Sequence, residues 1–169
     1  MITIIQRFFP VLFLMIFALP ASAEMTHKGT LHLKGFTIRA TTPNAGATAG
    51  YGIIYNHGDE DDRLISAQAS FAKKTEIHEM LLDGDVMRMR EIDGGLMIAA
   101  NSQTELKKGG LHIMFLGLSA QIKTEQAYEI TLEFEKAGTV IVPAKTIALR
   151  EPKSHDQDHD HNHGHKHKH

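Results

Sequence analysis

The chain contains no cysteine and no tryptophan. Without cysteine it can form no disulfide, so a core must hold the fold unaided. The same absence excludes thiolate zinc and thiolate copper sites, and with them a blue-copper electron carrier, whose centre needs a cysteine ligand. Charge of one sign is also missing: 18 Lys and Arg stand against 20 Asp and Glu, a formal net charge of −2 with neutral histidines. No basic face stands out, and nucleic acid is not an expected partner. No window carries a sustained 3.6-residue apolar period, which argues against helices. There is no internal repeat. No Ser-His-Asp or paired-carboxylate arrangement stands out, and no enzymatic activity is expected.

The 169 residues suit one domain after processing. The N-terminus reads as a secretory signal over residues 1–23. Arg7 supplies the positive charge, Phe8 to Leu19 the apolar stretch, and Ala21-Ser22-Ala23 a small-residue cleavage site. As a helix that stretch would span about 18 Å, against roughly 30 Å of hydrocarbon, so cleavage is favoured over a retained anchor. The expectation is an exported, periplasmic protein that starts at Glu24, has no membrane span once cleaved, and is a monomer.

From Leu31 to Leu149 short β signals dominate. LHLKGFTIRA, GYGIIYN, DRLISAQAS, KTEIHEML, VMRMREI, GLMIAA, QTELKK, GLHIMFLGL, AYEITLEFE and TVIVPAKTIAL read as strands. Many of them alternate apolar and polar residues. Asp83-Gly84-Asp85, Asp93-Gly94-Gly95 and Gly109-Gly110 are among the turns between them. Many short strands at near-regular spacing predict an all-β antiparallel sandwich or barrel over residues 24–150. Residues 151–169 differ in kind: they are polar, histidine-rich and without an apolar anchor, and read as a tail disordered without metal.

Within this body His78, Met89, His112 and Met114 carry the most chemistry. Successive strand side chains alternate faces. His78 therefore shares a face with Met80, Met89 with Met87, and His112 with Met114. The last two lie about 7 Å apart along one strand and point the same way. The Asp83-Gly84-Asp85 turn would bring the first two pairs together. Thioether sulfur is a soft donor that suits Cu(I), not Mg or Ca. If the four side chains converge, they make a copper site, and the ion is Cu(I). Methionine is also a common core filler, and a strand histidine is often a hydrogen-bonded core or surface residue, so the residues alone leave both readings open. Met80 and Met87 read as neighbours that back the ligands or wall the copper mouth with apolar surface, not as ligands themselves. His27, His32 and His57 read as unrelated solvated or capping residues, with His27 able to lend a transient ligand.

The order H-x10-M followed by H-x-M, with DDRLISAQAS, EIHEM, VMRMR and GGLHIMFLGL around it, resembles the periplasmic PCu(A)C copper chaperone family over roughly Gly29 to Val142. The resemblance implies a cupredoxin-like Greek-key β-sandwich that binds one Cu(I) through His78, Met89, His112 and Met114. It implies delivery of copper to the Cu(A) centre of cytochrome c oxidase, directly to subunit II or through a thioredoxin-like assembly factor. The chain departs from the family pattern in one respect. The segment between Met89 and His112 is one residue longer, an insertion expected around Asn101 to Gly110. Inside a strand, that extra residue would turn one ligand to the wrong face.

The tail carries His155, His159, His161, His163, His165, His167 and His169, interleaved with Asp156, Asp158 and Asp160. Imidazole suits Cu(II), Zn(II) and Ni(II). The mixed Asp, Asn, Gly and Lys spacing favours a natural metal-binding tail over an affinity tag, and the expected cargo there is Cu(II). A histidine-brace oxygenase would need cleavage immediately before His27. A protein that buffers copper or zinc, or confers resistance to it, is the competing function.

Overall fold

The computed structural model describes residues 25–148. The stretch read as a secretory signal and the histidine-rich tail lie outside the described residues. Eleven strands follow one another: β1 (Met25–Lys28), β2 (Leu31–Arg39), β3 (Ala47–Asn56), β4 (Asp62–Gln68), β5 (Ala72–Asp83), β6 (Val86–Glu91), β7 (Leu96–Ile98), β8 (Ser102–Leu106), β9 (His112–Leu118), β10 (Ala127–Phe134) and β11 (Gly138–Ile147). No helix occurs among the described residues. All ten strands read from the sequence are present. The four-residue β1 is additional, too short for its alternation to register.

The hydrogen-bonded order is β6-β5-β9-β3-β2-β11-β10-β4-β7, with β1 on β2 and β8 on β3. Every pairing is antiparallel except β11 on β2. The two halves of this path fold over one another. Ile38, Ile54, Ile113 and Phe115 from one half join Leu64, Leu132, Phe134 and Val142 from the other in a single buried cluster, which makes the architecture an all-β sandwich. Pro143 lies opposite Glu129 of β10, ahead of the Lys145–Ile147 stretch that pairs with β2. Its missing N–H therefore falls where the β2 side of the strand is unpaired.

β3 is the spine of the half that carries the candidate site. Its even positions are buried and its odd positions half-buried, the period of a strand with one core face. Gly50 and Gly52 face that core. A Cβ at Gly50 would lie 2.8 Å from the Phe115 ring, and one at Gly52 would lie 2.8 Å from Phe36. Two aromatic rings thus occupy the space beside the bare backbone of β3 that a side chain would fill, and one of them, Phe115, belongs to the neighbouring β9. The β5–β6 hairpin closes through Gly84-Asp85, with Asp83 opposite Val86 and Gly84 at φ +62°. A glycine at the first position of a two-residue loop relieves that backbone of Cβ strain.

Candidate metal centre

Registers place the predicted residues on one face of three adjacent strands. His78 of β5 lies directly opposite His112 of β9, and Glu76 opposite Met114. On the other side of β5, Met80 faces Met89, Leu82 faces Met87, and His78 faces Glu91 of β6. Directly paired residues share a face. Glu76, His78, Met80, Met87, Met89, His112 and Met114 therefore all project from the side opposite the core, while Ile77, Ile113 and Phe115 project into it.

The two imidazoles are buried and adjacent, with ring centroids 5.7 Å apart and planes at 74°. Each is oriented by one hydrogen bond. His78 Nε2 donates to Glu76 Oε2 at 2.6 Å, because an ionised carboxylate can only accept. His112 Nδ1 donates to the Gly110 carbonyl at 2.9 Å, for the same reason. These bonds fix the tautomers, so His78 Nδ1 and His112 Nε2 carry the lone pairs. The first of these atoms is buried and is the one such side-chain nitrogen or oxygen without a hydrogen-bond partner among the described residues. The second faces Met89 Sδ at 3.2 Å. Neither a bare imidazole nitrogen nor a thioether has a proton to share. A cation or a proton between two such electron-pair donors would relieve their repulsion, and imidazole nitrogen and thioether sulfur are donors that soft ions take.

Glu76 was not singled out in the sequence. It sits two residues before His78 on the same face, so an E-x-H-x-M alternation was the available signal. Lys74 bonds its other carboxylate oxygen, and Lys74 also lies 4.0 Å from Glu91. The Lys74 hydrogen bond first, and the His78 hydrogen bond second, hold the Glu76 carboxyl below the usual carboxylate range against opposing desolvation. Glu76 thus stays ionised and keeps its hold on the ring, as carboxylates behind metal-binding histidines do.

The thioethers are placed differently. Met89 is 49% exposed, on an edge strand whose every residue is exposed. Met87 is equally open, further toward the hairpin tip, and Met80 lies beside Met89. Met114 is half-buried between Glu76 and Ala49 and lines a cleft of about 250 Å³ with Arg39, Thr42 and Ala47. Of the four predicted ligands, Met89 and His112 bring donor atoms within 3.2 Å of each other, His78 packs its ring edge to face with His112, and Met114 stands on the same face. The longer Met89–His112 segment is taken up without inverting either residue. It contains β7 and β8, and the Lys107–Leu111 turn returns the chain to β9, Lys107 N–H donating to the Leu111 carbonyl at 2.6 Å. No group of three or more His, Asp or Glu side chains is gathered about one point among the described residues, so a hard-cation cage is not part of this face.

Residues 31–146 match the LpqE-like family, described as lipoproteins. The chain belongs to this family. Among its relatives, Lxx21020 of Leifsonia xyli subsp. xyli, named as a lipoprotein, is 32% identical over 129 residues, covering 75% of this chain and 78% of that protein. The fold of this LpqE-like chain is that of PCuAC domains. The copper-bound PCuAC domain from PmoF2 superposes with a TM-score of 0.64 at 22% identity, over 75% of this chain and 99% of that one. CuI-DR1885 from Deinococcus radiodurans does so with a TM-score of 0.57 at 25% identity, over 75% and 82%.

One expectation is corrected. His27, His32 and His57 are not unrelated: His27 and His57 are exposed, as expected of solvated residues, but the three rings pack against one another, with centroids 4.1 Å apart for His27–His32 and 4.5 Å for His32–His57. His27 and His32 face each other across the β1–β2 hairpin, and His57 comes from the end of β3, so their meeting depends on β1, which the sequence reading missed.

Proposed function

We propose that this LpqE-like protein is an exported copper chaperone that binds one Cu(I) through His78, Met89, His112 and Met114. The observation that carries the reading is the His112 Nε2–Met89 Sδ approach beside the orphaned His78 Nδ1. Two neutral imidazoles and two thioethers make a soft, uncharged donor set suited to Cu(I). The copper-bound relatives with this fold support it.

The arrangement favours transfer over storage. The imidazoles are buried and held; Met89 stands on an exposed edge strand. A thioether is a weak, neutral ligand, so an acceptor approaching from the β6 side would displace Met89 first, while the histidines retain the ion until exchange is complete. The acceptor in this reading is the Cu(A) centre of cytochrome c oxidase, reached at subunit II or through a thioredoxin-like assembly factor. The histidine tail captures Cu(II). Export to the periplasm accords with the N-terminal signal and with relatives named as lipoproteins. The chain has no cysteine to which a lipid could be linked.

X-ray absorption on the full chain loaded with one equivalent of Cu(I) tests the site. Two sulfur and two nitrogen neighbours are expected, and a first shell of nitrogen or oxygen alone would overturn it. A deletion strain tests the role: oxidase loss rescued by added copper is expected, whereas metal sensitivity with normal oxidase would favour buffering.

A further inference from the structure

The second cluster of imidazoles lies at the other end of β3. His27 of β1 is directly opposite His32 of β2, and His32 is directly opposite Tyr55 of β3. His57 follows Tyr55 by two residues, and its backbone N–H donates to the Thr30 carbonyl at 3.0 Å, which pulls the end of β3 onto the β1–β2 turn. The Tyr55 and His57 rings run parallel, 5° apart in plane with centroids at 5.8 Å. Three separate segments thus deliver three rings into one row. Tyr55 and Ala49, the partner of Met114, are six positions apart on β3, roughly 20 Å, so the row is distinct from the His78–His112 pair.

We propose that His27, His32 and His57 form a second metal site, which takes a divalent ion of the Zn(II) or Cu(II) type and assembles when the ion binds. Imidazole is the donor these ions share, and no thioether or thiolate is needed. Three protein ligands leave a fourth position open to water or a further donor. Among the described residues, no side-chain hydrogen bond occupies any of the three rings, unlike His78 and His112. The rings gain little from one another when charged: desolvation first, then the charges of His27 and His57, lower the pKa of His32. The lowering favours the neutral form of the middle ring, the state in which imidazole binds metal. At present the rings pack edge to face instead of aiming their nitrogens at one point. His27 and His57 are exposed, and changes of χ1 and χ2 between staggered wells are open to them.

The test is a Zn(II) titration of the full chain followed through histidine ring resonances by NMR. The His27, His32 and His57 rings are expected to shift together and saturate in one step. His32→Gln should weaken the responses of His27 and His57 at least tenfold while the β1–β2 amide signals stay in place. His27→Gln, at an exposed ring, is the second variant and should likewise weaken the response of His57. Rings that stay unmoved with Zn(II) in excess over every histidine of the chain would overturn the site. So would a response confined to the tail histidines, or one unchanged in His32→Gln and His27→Gln. Because the readout is Zn(II) at these three rings, it is independent of whether Cu(I) binds at His78 and His112.

Discussion

The two ends of β3 use the same residue type in opposite ways. Beside its first half, His78 and His112 are buried, and each ring is held by one hydrogen bond that leaves a chosen nitrogen bare. Beyond its last residues, His27, His32 and His57 meet edge to face, and the exposed His27 and His57 are free to change rotamer. The first arrangement is organised before an ion arrives and can discriminate by ligand type and geometry. The second must be organised by the ion, so its selectivity comes from imidazole chemistry alone. Orientation by neighbouring groups, not the number of histidines, separates a specific site from an adaptable one.

The sharpest way to break this comparison is to remove a buried ring. His112→Ala should reduce Cu(I) affinity by more than about a hundredfold, beyond the range typical of losing an outer partner, and competition with a Cu(I) chelator measures it. An affinity within tenfold of the parent would dissolve the distinction between the two ends.

Glu76→Gln addresses orientation itself. It retains the shape but removes the ionised acceptor that selects the His78 tautomer, and a loss of roughly 10–100-fold in Cu(I) affinity is expected. The variant also has a pH signature in stability. Glu76 has a folded-state pKa below its unfolded value, so its contribution is fully present above the ordinary carboxylate pKa of about 4.3 and disappears as pH falls through the lower folded value. Denaturation of the two proteins across pH should give curves that are separated at pH 6 and merge in strong acid. Curves that stay equally separated at all pH values would mean that the residue acts by packing instead.

Gly50→Ala probes the scaffold. The added methyl meets the Phe115 ring at 2.8 Å, and overpacking of this kind costs about 1–3 kcal/mol. Denaturant unfolding should show that loss, with Cu(I) affinity falling only as far as β9 shifts. The smallest effect is expected from Met114→Leu, which is nearly isosteric: the fold should stay and Cu(I) affinity fall by roughly tenfold, the low end of the range above. Unaltered affinity would remove Met114 from the ligand set.

Much of this was legible along the chain because strand side chains alternate with a fixed period. KTEIHEML and GLHIMFLGL disclosed which side of each strand carries donors and which carries Ile77, Ile113 and Phe115. The Asp83-Gly84-Asp85 turn disclosed that β5 and β6 form a hairpin. Hidden from the sequence were β1, too short to show a period, and the part played by Glu76, an ordinary charged residue until Lys74 and His78 are seen around it. The gathering of His27, His32 and His57 was hidden for the same reason: it depends on β2 lying between β1 and β3.

The sequence by itself determined the donor chemistry. It has histidine and methionine without cysteine, set at strand parity that puts His78 with Met80 and His112 with Met114. Only the tertiary structure decided that β9 lies beside β5, that Met89 reaches His112, and which nitrogen of each ring is left bare. Alternation is a local property set by the backbone of one strand. The choice of neighbouring strand is set by long-range packing, here Phe115 over Gly50, and by carbonyl and carboxylate partners that periodicity cannot foretell.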